Sequence, residues 1–148
     1  GLDIDALRAA HPSLIWASIT GFGLEGPWAK RPAYDMIVQA LSGVMSLTGE
    51  RDGKSVRLGI PAGDTVAGLY ATVAINAALV QRGITGRGRH IDVGMLDCQL
   101  SMLSYQSAYA LIGGAGRLAE PPGDAFVCNA GQVFHRFGYF RIQPPHRA

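Results

Sequence analysis

The sequence predicts an α/β domain, and three observations lead there. Short β-branched, apolar runs ("SLIWASIT" and "RHIDVGM") alternate with longer segments whose apolar residues recur at helical spacing. Glycine-containing turns ("TGFG", "TGRG") separate the two kinds of segment. Between Asp64 and Arg82 no charged residue occurs, and a helix so apolar all round belongs in the middle of a structure. The chain has 148 residues, 48% hydrophobic and 16% charged, enough for one domain with its own core.

Taken in order, Asp3 is placed to cap a short helix that ends before Pro12. "SLIWASITGFG" reads as a strand running into a glycine turn, and "LEGPWAKRP" as a loop. Met36, Val38, Leu41, Met45 and Leu47 predict a helix over 33–47, with Gly49 as its stop. "RDG" is a turn, and "SVRLGI" a short strand or extended connection. A helix is predicted from about Asp64, with that carboxylate as N-cap, to Arg82. "RHIDVGM" is a further strand, and "LDCQLSMLSYQSAYALIG" a helix over 95–112. Three strands are few for a complete parallel sheet. After Gly116 the pattern changes: residues 117–148 lack periodicity and hold four of the eight prolines. That stretch reads as an irregular tail, either a linker or a non-native sequence, and 1–116 as the domain proper. The chain does not open on Met and is expected to be a piece of a longer protein.

Composition excludes several classes. A net charge of +2 and scattered arginines form no basic stripe, so no nucleic-acid partner is expected. Cys98 and Cys128 stand in no metal-ligand or CxxC spacing and read as small buried hydrophobes. His11, His90, His135 and His146 lack partners at i+3 or i+4, so no metal site is expected. The uncharged run from Thr65 to Gln81 is short for a membrane span and is read as a buried helix. With no signal peptide in view, the expected compartment is the cytoplasm. "GFGLEG" formally resembles a dinucleotide loop, but Pro27 follows and no helix starts there, so it reads as a tight turn. Arg87 in "TGRG" and Arg89 just after it read as part of a surface turn.

What remains is a constellation: "GFGLEGPWAKRPAYD", "GIPAGD" and "GITGRGRHIDVGMLD". In combination these blocks resemble the family III CoA-transferases, the CaiB/BaiF group, which also contains the α-methylacyl-CoA racemases. The resemblance runs from about Leu2 to Gly113. It implies that this chain is the central part of a Rossmann-like large domain whose parent is an interlocked homodimer. It further implies that Asp64, the acid of the GD motif, is the catalytic nucleophile.

The residues fit that implication. A carboxylate at a helix N-terminus meets the positive end of the helix dipole and free backbone N–H groups. Gly63 leaves room for a thioester to approach the backbone. Tyr34, Asp35, Lys30 and Arg31 become candidate substrate or CoA contacts, the two cations facing phosphates. No cofactor is implied beyond the coenzyme A thioester, which is itself a substrate; the partners are an acyl-CoA and a carboxylic acid. Racemases of the superfamily place a histidine where Tyr34 stands. A free phenol ionises only at about pH 10 and is a poor base at neutral pH, so transfer is favoured over racemisation. Two alternatives stay open: an acyl-CoA racemase or epimerase relative, and a truncated, inactive remnant.

Overall fold

The computed structural model describes residues 2–49 and 54–113, and side chains in the same ranges up to Ala108. The expected tail, residues 117–148, and with it Cys128, His135 and His146, lies outside the described residues.

Helix α1 spans Ile4–Ala10, and Asp3 caps it as predicted: Oδ1 accepts from the backbone N–H groups of Asp5 and Ala6, each at 3.1 Å. Strand β1 (Trp16–Thr20) lies parallel to β2 (His90–Gly94), with Trp16 opposite His90 and Thr20 opposite Gly94. Helices α2 (Asp35–Leu41) and α3 (Ala62–Thr85) occupy the crossover between them, as a parallel pair requires. After β2 come α4 (Met95–Ser101) and α5 (Ser104–Gly113). The result is a mixed helix and strand fold, in agreement with the predicted class.

Four local expectations are corrected. The helix expected over 33–47 stops at Leu41, because Gly43 adopts a left-handed φ of 84°; a 3₁₀ turn over Val44–Leu47 follows. "SVRLGI", read as a short strand or extended connection, is the connection and not a third strand: the Leu58 N–H donates to the Gln39 side chain at 2.8 Å. The helix expected over 95–112 is two helices, broken at Met102 and Leu103, whose N–H groups bond three residues back, to Gln99 and Leu100. Finally, α3 begins at Ala62 with Pro61 in the cap position, so Asp64 is the third residue of its first turn and not the cap.

Two apolar clusters hold the elements together. In the first, Val66, Ala67 and Ala71 of α3 meet Val38 of α2, Val93 of β2, and Met95 and Cys98 of α4. In the second, Phe22, Val44, Leu96, Leu100 and Leu103 close around the chain that follows β1, with Trp28 and Leu58 against them. The side of α3 in contact is rich in small residues (Ala62, Gly63, Ala67, Ala71, Ala78), which lets its backbone approach α2 and α4.

The opposite side of α3 corrects the expectation of burial all round. Leu69, Val73, Val80 and Ile84 are exposed, Ile84 at 82%. By length and composition α3 would be able to cross a membrane, although its small-residue side is seated on the core.

Candidate functional site

The site is built where the N-termini of α2 and α3 meet. The Gly63 N–H, second in α3, donates at 2.8 Å to Oδ1 of Asp35, the first residue of α2. Pro61 has no side-chain cap to offer, so Asp35 satisfies an orphan donor of α3 from another helix. The two residues next to that hydrogen bond are Tyr34 on one side and Asp64 on the other. Asp64 is exposed, and Tyr34 is 77% exposed.

Asp35 itself is buried, and its second oxygen, Oδ2, accepts at 2.8 Å from Nε2 of Gln39, one helical turn on. Gln39 is fully buried. Its Nε2 also donates to the Ile60 carbonyl at 3.1 Å, and its Oε1 accepts the Leu58 N–H at 2.8 Å. One glutamine thus ties Asp35 to the segment that leads into α3. Sequence reasoning passed Gln39 over. The signal was present, since Asp and Gln four residues apart on a helix face each other and bond.

Gly63 has an internal reason to be glycine. A Cβ there would lie 3.1 Å from Asp35 Oδ1, 3.1 Å from Gln99 Oε1 and 3.3 Å from Val38 Cγ1. Helices α2, α3 and α4 converge on this one backbone position, and a methyl group would press on all three. Gln99 is fully buried there, with neither amide atom hydrogen-bonded.

The other candidates fall nearby in sequence but differ in role. Lys30 is exposed. Arg31 is exposed too, with its guanidinium carbon 5.2 Å from the centre of the Trp28 ring, and Trp28 packs edge-on against Phe22 with ring centroids 5.2 Å apart. Asp35, expected among the substrate contacts, turns both oxygens inward.

"GFGLEG" is a turn, as read. Gly23 and Gly26 have φ of 82° and 100°, and the Leu24 N–H donates to Asp92 Oδ2 on β2 at 2.8 Å. His90 is held by Ser18, whose Oγ lies 3.0 Å from Nε2. Burial, with a smaller contribution from the charge of Asp97, pushes the Cys98 thiol up to about 11, which keeps it a neutral, buried group.

An open hollow of about 430 Å³ lies elsewhere, between β1 and the later turns of α3, lined by His11, Ile15, Ile75, Leu79 and Arg82. Along the α3 axis it begins about 16 Å from Asp64, at 1.5 Å per residue.

Comparison with known proteins gives this geometry its context. The sequence matches the family model described as CoA-transferase family III over residues 1–141. It is 46% identical over 114 residues to a succinate–glutarate CoA-transferase of Agrobacterium fabrum, a match covering 77% of this chain and 28% of that protein. It is 42% identical over 113 residues to the human succinyl-CoA:glutarate CoA-transferase, covering 76% and 26%. Among solved structures it superimposes on a CaiB/BaiF family protein from Brucella suis with a TM-score of 0.74 at 43% identity, covering 76% of this chain and 30% of the other. The chain therefore spans between a quarter and a third of the length of these relatives.

Proposed function

The chain belongs to CoA-transferase family III, and from that premise we propose that it carries the nucleophile of an enzyme moving CoA between two carboxylic acids. The observation that carries the proposal is the position of Asp64: an exposed carboxylate in the first turn of a 24-residue helix, one peptide away from the clamped Gly63.

The chemistry follows from a carboxylate so placed. The Asp64 carboxylate attacks the acyl-CoA carbonyl, the C–S bond breaks, and CoA leaves as thiolate from a mixed anhydride. The thiolate then attacks the Asp64 carbonyl of that anhydride, releasing the first acid as carboxylate and leaving an aspartyl-CoA thioester. The acceptor carboxylate repeats the two steps in reverse order and departs as the new acyl-CoA. Asp64 is regenerated, and no net proton is consumed. The positive end of the α3 dipole favours the negative charge that develops on these carbonyl oxygens, while the N–H groups of Ala62, Gly63 and Thr65 are already engaged by Ile60, Asp35 and Pro61.

The names of the relatives support a short dicarboxylate as acid substrate: two act on succinate and glutarate, and a third, from Acetobacter aceti, 44% identical over 106 residues, is an acetyl-CoA:oxalate CoA-transferase. A homodimeric, cytoplasmic enzyme is part of the same proposal. It is supported by the family resemblance and by the unpaired, buried thiol of Cys98.

Incubating a full-length enzyme carrying this segment with succinyl-CoA should leave a covalent adduct on the peptide containing "GIPAGDTVAGLY". Hydroxylamine should convert it to a hydroxamate visible by mass. Asp64→Asn should fold and form no adduct. An Asp64→Asn variant that keeps its transferase activity would falsify the assignment.

A further inference from the structure

The buried pair Asp35–Gln39 lies outside the chemistry just described, yet it bonds both to the first turn of α3 and to the segment that leads into it. We propose that Asp35 is a positioning residue: its carboxylate sets the distance between Tyr34 and Asp64 by tying the first residue of α2 to the second of α3. The proposal rests on the reading of Asp64 as nucleophile and adds to it the device that aims it.

Three observations carry it. Asp35 Oδ1 accepts the Gly63 N–H at 2.8 Å, and this is a tertiary cap for a helix whose own cap residue, Pro61, supplies none. Asp35 Oδ2 is held at 2.8 Å by Gln39, so the carboxylate cannot rotate without breaking a second buried bond. Gln39 in turn fixes Leu58 and Ile60, the chain entering the helix, at 2.8 and 3.1 Å. The first turn of α3 is therefore held on two sides, through Gly63 and through the segment before Pro61.

Crowding makes the arrangement stiff. The site of a Gly63 Cβ is bounded by Asp35, Gln99 and Val38, so Gly63 has no room to slide against α2 or α4. A shift of the first turn would move Asp64 relative to Tyr34. Displacements on the order of 1 Å at a reacting group cost about a hundredfold in rate. A buried carboxylate serving only stability would be replaceable by any group that keeps the fold. A positioning carboxylate is replaceable only by one that restores both bonds.

The test separates the two. In Asp35→Asn the amide can still accept from Gly63, but it turns a donor toward the Gln39 amide, and the second bond is lost. The paired variant Asp35→Asn with Gln39→Glu reverses donor and acceptor and restores it: as a protonated carboxyl, the new group accepts from the amide at 35 and donates its O–H to the Ile60 carbonyl, while its other oxygen still accepts the Leu58 N–H. Single-turnover mixing with succinyl-CoA, quenched and read as the Asp64 hydroxamate, gives an amplitude (the fraction of competent sites) and a rate. For Asp35→Asn the expected result is an unchanged amplitude with a rate about ten- to a hundredfold lower, and for the paired variant a rate within about threefold of the original. A lower amplitude at an unchanged rate would mean a structural role only and overturn the proposal. Should Asp35→Asn not fold, the paired variant decides alone: a rate still tenfold down overturns the clamp. If the unsubstituted enzyme forms no adduct at all, the nucleophile assignment itself fails, a result distinct from equal rates in enzyme and variant, which reject only the clamp.

Discussion

Replacing Gln39 with Met measures what the clamp contributes to stability. Met has nearly the same length and volume but neither donor nor acceptor, so packing is kept and three hydrogen bonds are removed. The bond to Asp35 joins a buried amide to a buried carboxylate and is worth about 2 kcal/mol. The Ile60 carbonyl and the Leu58 N–H are only partly buried, and water will solvate them in part; together they add about 1 kcal/mol. The expected loss is therefore about 3 kcal/mol, large against a total stability of roughly 5–15 kcal/mol. Urea unfolding of the original and Gln39→Met proteins, followed by far-UV circular dichroism, reads it as a lower midpoint at unchanged slope. A loss below about 1 kcal/mol would refute the reasoning, because a buried charge left short of one partner costs more than that.

Other expectations follow from the same contacts. Asp3→Ala should free α1 at a local cost of about 1 kcal/mol, seen as faster amide exchange over Ile4–Ala10, while the unfolding midpoint barely moves, since no residue of α1 is buried. Cys98, with its thiol raised from 9.0 to about 11, should resist thiol reagents at pH 8 until the protein is unfolded. The sign of its linkage follows: the contribution of the neutral thiol is whole below pH 9 and is lost as pH rises toward about 11, so stability should fall across that window. The 148-residue chain alone should self-associate through the exposed side of α3, with a sedimentation coefficient that rises with concentration. Val73→Lys with Val80→Lys should return it to a monomer of 15.7 kDa; a monodisperse monomer before any substitution contradicts this.

Features decided within a few residues were legible in the sequence. The Asp3 cap, both strands and the glycine turn after β1 depend on neighbours in the chain, and each sits where its residue types put it. Features decided across the fold were not. Asp64 was read as the cap of α3 because Asp is a good cap locally. The group that serves instead, Asp35, lies 28 positions before the Gly63 N–H that it caps, and only the packing of α2 against α3 brings it there. Gly43 falls inside the periodic stretch read as one helix over 33–47, and its left-handed conformation ends α2. The composition of α3 was read as that of an enclosed helix, and the structure encloses only its small-residue side. Its outer side is bare because, among the described residues, β1, β2, α2 and α4 reach one side only. The candidate site was legible as a motif, its support less so. Tyr34, Gly63 and Asp64 stand in recognisable blocks, whereas Gln39 matters through a bond within α2 and contacts some twenty positions downstream.

The parallel pairing of β1 with β2 has a consequence for how such a protein is made. Ser18 and His90, in contact across the sheet, are 72 positions apart, and closing a loop of that length costs on the order of 4 kcal/mol of chain entropy before any contact repays it. Topologies dominated by such distant pairings fold slowly. Both N-termini that frame Asp64 lie inside that loop, so on the ribosome α2 and α3 emerge before the strand that locks them against β1. At about 5–20 residues per second, the nascent chain carries a completed but unanchored Asp64 helix, apolar on its outer side, for roughly half a second to two seconds before β2 follows. Activity and aggregation hazard are thus timed by the same late event, the arrival of His90–Gly94 beside Trp16–Thr20.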